Sequence, residues 1–178
     1  MNIRQICTAL ALAAGVMIRS AWAAEPPSAF DFITHTEIHI AASPDKVWPH
    51  LRNVNAWKLG AKTESVSGAD GVGERFKVVP DGAENNFYFI ETAELEPAKR
   101  WTIRLDGQNG ELRGYATWTL ASDGLGTRLR YDVFVRSQAP GAMPPADLSR
   151  LAARTNADAA RRMDSEFARL KTLVETAK

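Results

Sequence analysis

The sequence predicts an α+β domain in which a curved, seven-stranded antiparallel sheet wraps a long C-terminal helix, with two short helices after the first strand. Three observations carry this. Apolar side chains recur with period two across residues 32–136, with period 3.6 across residues 147–176, and the links between the period-two stretches are short and rich in glycine or proline. Such links are too short for crossovers, so neighbouring strands run antiparallel. The terminal helix carries one broad apolar stripe, and the sheet is the only surface large enough to cover it.

In residues 32–40, Phe32, Thr34, Thr36, Ile38 and Ile40 alternate with Ile33, His35, Glu37 and His39, the pattern of a half-buried strand. Ser43 suits a helix N-cap and Pro44 the first helical position, so a short helix starts there and carries Val47, Trp48 and Leu51. Pro49, which removes an intrahelical hydrogen bond, is expected to limit it. A second helical turn is expected at 54–59. Strands follow at 62–67, 74–79, 87–95, 100–106, 113–120 and 127–136, with Asp123-Gly124-Leu125-Gly126 as the hairpin turn between the last two. After a proline-rich break at 138–145, the helix over 147–176 places Leu148, Leu151, Ala152, Thr155, Ala159, Met163, Phe167, Leu170 and Val174 on one side. Arg150, Arg154, Asp158, Arg162 and Arg169 take the other.

The N-terminus reads as an export signal. One cation, Arg4, precedes thirteen uncharged residues, Ile6 to Ile18, shorter than the roughly 20 a membrane span needs. Ala21-Trp22-Ala23 then puts small residues at the two positions a signal peptidase reads, although Arg19 is atypically close to the cut. Cleavage is expected after Ala23, giving a signal peptide at 1–23, a flexible segment at 24–31 and one domain at 32–178. That organisation implies a periplasmic or secreted protein with no stable membrane insertion after cleavage. Of 178 residues 155 would remain, enough for one domain with a real core.

Composition excludes several chemistries. Cys7, the only cysteine, lies inside the signal segment, so the mature chain has neither disulfides nor thiolate ligands. Loss of Arg4 and Arg19 leaves 20 basic residues of the original 22 against 21 acidic ones. With the bases dispersed among acids and no nucleic-acid motif, a nucleic-acid partner is not expected.

Motifs that could carry catalysis dissolve on inspection. His35, Glu37 and His39 share a strand face, but the histidines are four residues apart, which puts their α-carbons about 13 Å from each other, too far for one tetrahedral ion. They are expected to form a polar outer face against Arg128, Arg130 and Asp132. His50 reads as a surface or capping residue. Gly68, Gly71 and Gly73 lie between two strands rather than before a helix, so they make a turn and not a dinucleotide loop. Glu91, Glu94 and Glu96 are spaced as solvated edge charge, and no Gly-x-Ser-x-Gly elbow is present. No metal or cofactor is expected.

The element order resembles the helix-grip arrangement of the START and polyketide-cyclase-like superfamily (SRPBCC). The residues that carry the resemblance begin at Ile38-His39-Ile40-Ala41-Ala42-Ser43-Pro44-Asp45-Lys46-Val47-Trp48. Gly71-Val72-Gly73-Glu74-Arg75-Phe76, Glu94-Leu95-Glu96-Pro97-Ala98-Lys99-Arg100-Trp101, Trp118-Thr119-Leu120 and Gly126-Thr127-Arg128-Leu129 follow in order, covering about 32 to 175. Two departures stand out: Pro49 inside the first helix, and Lys58-Leu59-Gly60 where related sequences carry a second tryptophan or a proline, which reshapes the pocket entrance.

The resemblance implies a cavity between sheet and helix that holds a small hydrophobic or amphipathic ligand such as a lipid, an isoprenoid or an aromatic metabolite. Barrel-like sheets of this size leave an interior that side chains fill only partly, and aromatic residues suit its lining. Trp48, Trp57, Phe76, Tyr88, Trp101, Trp118 and Tyr131, with Met163 and Phe167 from the helix, are the expected lining, and Ala152, Ala153, Ala159 and Ala160 would leave space. The residues identify no catalytic set. Were the chain an enzyme, the resemblance implies cyclase- or dehydratase-like chemistry with Tyr88, Tyr115 and Arg113 as its polar candidates. A third reading is an accessory domain that docks onto another exported protein near Pro140 to Pro145.

Overall fold

The last predicted strand pairs with the first, and this closes the sheet's long edge under the terminal helix. A computed structural model describes residues 28–82 and 85–177; the predicted signal peptide and residues 24–27 lie outside them. The elements are β1 (Ala29–Ile40), α1 (Pro44–Arg52), α2 (Val54–Trp57), β2 (Ala61–Ser67), β3 (Arg75–Pro80), β4 (Tyr88–Glu96), β5 (Arg100–Gly107), β6 (Leu112–Asp123), β7 (Gly126–Gln138) and α3 (Pro145–Thr176). The sheet order is β1-β7-β6-β5-β4-β3-β2, antiparallel throughout, as expected of a seven-stranded helix-grip fold.

Three local expectations need correction. β1 starts three residues before Phe32: Ala29, Phe30 and Asp31 pair with Gln138, Ser137 and Arg136, so the end of the segment expected to be flexible is strand. The long β7 supplies the ladder there. Ser43 occupies the N-cap position of α1, but only its carbonyl acts, accepting the amides of Lys46 and Val47 at 2.9 and 3.1 Å. Pro49 does not end α1, which runs on to Arg52 because the buried Val47 and Leu51 anchor both sides of the proline.

Register sorts side chains onto two faces. Phe32, Thr34, Thr36, Ile38 and Ile40 lie opposite Val135, Val133, Tyr131, Leu129 and Thr127, all toward α3. His35, Glu37 and His39 lie opposite Asp132, Arg130 and Arg128 on the outer face, and His35 Nδ1 is 2.9 Å from Asp132 Oδ1. Glu91 and Glu94 likewise meet Arg104 and Arg100 at 3.2 Å. Gly68, at φ +90°, serves the turn between β2 and β3 as expected. Register shifts at Ser65/Ser67 and Thr92/Glu94 mark bulges, which add twist to the strands that bend around the helix.

α3 lies along the free edge of β1 and satisfies it. The Ile33 amide donates to Asn156 Oδ1 at 3.0 Å, the Ala41 amide to Glu175 Oε1 at 2.7 Å, and Lys171 Nζ to the His39 carbonyl at 2.7 Å. An edge strand would otherwise expose these groups for pairing with another chain. The helix is some 48 Å long at ~1.5 Å per residue, yet its buried residues are Met163, Glu166, Phe167, Leu170 and Val174. The apolar stripe is continuous; its burial is confined to the C-terminal half.

Candidate functional site

Aromatic rings form a connected chain across the inner face of the sheet. Trp101 stacks on Trp118 at 4.7 Å, Trp118 meets Tyr131 at 4.9 Å, and Tyr131 meets Phe167 of α3 edge-on at 6.1 Å. Trp57 of α2 touches Trp118 edge-on at 6.4 Å. Two of the three indoles are satisfied internally: Trp57 Nε1 donates to the Leu51 carbonyl at 3.0 Å and Trp101 Nε1 to Thr92 Oγ1 at 3.1 Å. Trp118 Nε1 is buried and has no partner among the described residues. Arg52 packs its guanidinium 4.5 Å over the Trp101 ring and reaches Asp70 and Glu74, which ties α1 to the β2–β3 turn.

Beside this chain the sheet and α3 do not close. An inner space of about 60 Å³ lies among Val54, Trp57, Trp101, Trp118 and the aliphatic side chains of β3–β5. A larger space of about 410 Å³ lies under the N-terminal half of α3, between Thr155, Ala159 and Arg162 above and Phe32, Thr34, Val133 and Val135 below. Lys58, Tyr88, Leu105, Tyr131, Met163 and Glu166 line both, so the two spaces adjoin at these residues.

Four of those six residues are polar. Glu166 is fully buried on α3; its Oε1 accepts the Leu59 amide at 3.0 Å and stands 3.9 Å from Lys58 Nζ, while Oε2 has no partner among the described residues. Burial holds the Tyr131 hydroxyl well above the usual phenol value, and the nearby Tyr88 and Glu166 add to the effect. It therefore stays neutral. Thr34 Oγ1, below the larger space, is also buried without a partner. An apolar, ring-rich space with a few polar groups in its wall can hold a flat or branched hydrophobic body and orient it by one polar end.

Of the predicted lining, Trp57, Tyr88, Trp101, Trp118, Tyr131 and Met163 come together around these spaces. Trp48, Phe76 and Phe167 do not line them: Phe167 is fully buried against Tyr131, and Trp48 and Phe76 pack half-buried against the core. Ala159 lines the larger space, whereas Ala153 is exposed. Arg113 and Tyr115, the other polar candidates, lie exposed on the outer face. Sequence reasoning missed Glu166 and Thr34 as site residues and read Lys58 only as part of the pocket entrance. For Glu166 a signal existed: it falls three residues after Met163 and four before Leu170, inside the apolar stripe.

Among the described residues no three metal-ligating side chains come together, and no helix is long and apolar enough to cross a membrane. A family model described as polyketide cyclase/dehydrase and lipid transport matches residues 32–175. No curated protein sequence matches the chain. Among solved structures, the Zhui aromatase/cyclase from Streptomyces sp. R1128 superposes with a TM-score of 0.65 at 17% identity, over 82% of this chain and 94% of that one. Norcoclaurine synthase from Thalictrum flavum, in complex with dopamine and hydroxybenzaldehyde, gives 0.63 at 15% identity, over 85% and 90%. A protein from Mesorhizobium loti gives 0.59 at 21% identity, over 82% and 98%. At these identities the likeness is one of fold.

Proposed function

We propose, from the premise that this chain belongs to the polyketide cyclase/dehydrase and lipid transport family, that it is an exported protein holding a small hydrophobic or amphipathic molecule between its sheet and α3. A lipid, an isoprenoid or an aromatic metabolite fits that description. The observation that carries the reading is the pair of adjoining spaces, lined by Trp57, Trp101, Trp118, Tyr131 and aliphatic side chains, between the sheet and α3, whose fully buried residues all lie in its C-terminal half. Export rests on the N-terminal pattern of the sequence, Arg4 through Ala23.

The full chain expressed in an export-competent cell tests both parts. N-terminal sequencing of the purified protein is expected to begin at Ala24, and solvent extraction with mass spectrometry to release one class of hydrophobic compound. Saturable quenching of tryptophan emission by 1-anilinonaphthalene-8-sulfonate is the parallel measurement. A protein that releases nothing and quenches only linearly would overturn the binding reading; one retained in the cytoplasm with Met1 intact would overturn export.

A second reading, a cyclase- or dehydratase-like enzyme, is favoured by one observation: a carboxylate and an ammonium, Glu166 and Lys58, face each other in the wall of an apolar space. Such a pair can take up and return a proton next to a bound ligand. Incubation of the extracted compound with fresh protein separates the two. Recovery of the compound unchanged supports a carrier, and a product of altered mass supports an enzyme.

A further inference from the structure

Two unpartnered polar atoms belong to residues that line the inner space, and they are complementary. Trp118 Nε1 is a donor and Glu166 Oε2 an acceptor; both are buried, and neither has a partner among the described residues. Thr34 Oγ1 and Arg52 Nη1 are also buried without a partner among the described residues, but neither residue lines this space. The fold supplies acceptors for the neighbouring indoles of Trp57 and Trp101, and it uses Glu166 Oε1 to hold the Leu59 amide. Buried groups left unmatched in this way are costly, most of all a carboxylate oxygen. Val78, Ile90 and Ile103 in the same wall offer neither atom a bond, and the polar side chains that share it, Lys58, Tyr88 and Tyr131, make none to either atom.

The chemistry of the missing partner follows from what each class of group can offer. A hydroxyl both donates and accepts, so it can satisfy Glu166 Oε2 by donating or the Trp118 N–H by accepting. An ammonium only donates; it would leave the indole unmatched and compete with Lys58. A carboxylate only accepts, and it would meet the negative charge of Glu166. A hydrocarbon satisfies neither. Building on the ligand-holding reading above, we propose that Glu166 and Trp118 form a hydroxyl-recognition point at the closed end of the cavity. The preferred occupant is a neutral phenol or alcohol whose apolar body extends past Tyr131 and Met163 into the larger space.

Three probes of one shape test this: naphthalene, 2-naphthol and 2-naphthoate, titrated near neutral pH by tryptophan quenching against the purified wild type and Glu166→Gln. With Oε1 still engaging the Leu59 amide, the glutamine turns the free acceptor into a donor and removes the negative charge. The wild type is expected to bind naphthol about tenfold or more tightly than either other probe. In Glu166→Gln that order is expected to invert in favour of naphthoate, while naphthalene affinity stays within about twofold. A role for Glu166 in folding alone would not move the order. Trp118→Phe should reduce the naphthol preference without inverting it. If naphthalene binds and naphthol gains nothing over it in the wild type, the recognition point is refuted while the cavity stands. If none of the three binds saturably, the ligand-holding reading falls, and this inference with it. The wild-type comparison decides the matter even if a variant misfolds.

Discussion

Truncating one side chain in each half of α3 measures how the helix is docked. Phe167 is 1% exposed and lies edge-on to Tyr131 at 6.1 Å, so Phe167→Ala removes a full ring from a packed site. Such deletions lower stability by about 3–5 kcal/mol. Leu151 belongs to the same apolar stripe sixteen residues earlier but is only half-buried. It loses only part of its contact, and Leu151→Ala should cost about 1 kcal/mol or less. For a domain of this size each kcal/mol moves Tm by about 2–4 °C. The expected losses are therefore about 6–20 °C for Phe167→Ala and at most about 4 °C for Leu151→Ala. Urea unfolding with unchanged m-values would place both effects in stability. Equal losses would mean that the N-terminal half of α3 packs as tightly as the C-terminal half, and the larger space beneath it would not exist.

Three further outcomes follow from single contacts. A Cβ at Gly114 would fall 2.1 Å from the Phe134 carbonyl oxygen and 2.7 Å from Val135 Cα, both backbone of β7, so Gly114→Ala should lower stability by about 1–3 kcal/mol or more in chemical denaturation; an unchanged midpoint would contradict the β6–β7 spacing. Thr92→Val strips the acceptor from the buried Trp101 N–H and is expected to lose about 1–3 kcal/mol, with Thr92→Ser largely retaining it; equal loss in both variants would assign the effect to packing. The third concerns alkaline pH. Because the folded protein holds Tyr131 above its unfolded value, stability is intact below the ordinary phenol value of about 10 and falls as pH rises past it, by about 1.4 kcal/mol per pH unit for that one proton. Tyr131→Phe should flatten the slope by that amount, and an identical slope would mean that Tyr131 ionises freely in the folded state.

Side-chain parity along the strands was legible because alternation and register carry the same information. Once Phe32 to Ile40 alternate, pairing with β7 puts His35, Glu37 and His39 against Asp132, Arg130 and Arg128, and the apparent metal cluster becomes an outer face. Depth is another matter. Period two tells which face Phe76 takes and the helical stripe tells which side Phe167 takes, but neither says how far a side chain stands from the gap. That is why Phe76, Phe167 and Trp48 pack against the core while Trp118 and Tyr131 line the spaces. The same limit applies to α3, whose stripe from Leu148 to Val174 is uniform in sequence although only its later turns are buried. Phe30 and Asp31 extend the alternation of Phe32 by one step, so an earlier start of β1 was legible in the sequence, and a boundary drawn at Phe32 passes over it.

Glu166 shows where consistency between levels breaks, and such breaks concentrate where function constrains the sequence. A buried position between Met163 and Leu170 would be filled most stably by an apolar side chain of similar volume, since burying an ion is rarely repaid in full by a single partner. Holding the Leu59 amide requires one acceptor oxygen, which glutamine would supply without a charge. Lys58 Nζ stands 3.9 Å from Oε1, beyond hydrogen-bonding distance. Neither the clamp on Leu59 nor the proximity of Lys58 therefore accounts for a carboxylate there. What remains is Oε2, which is left unmatched among the described residues, as is the Trp118 N–H in the wall of the same space. A group held in that space can supply its partner.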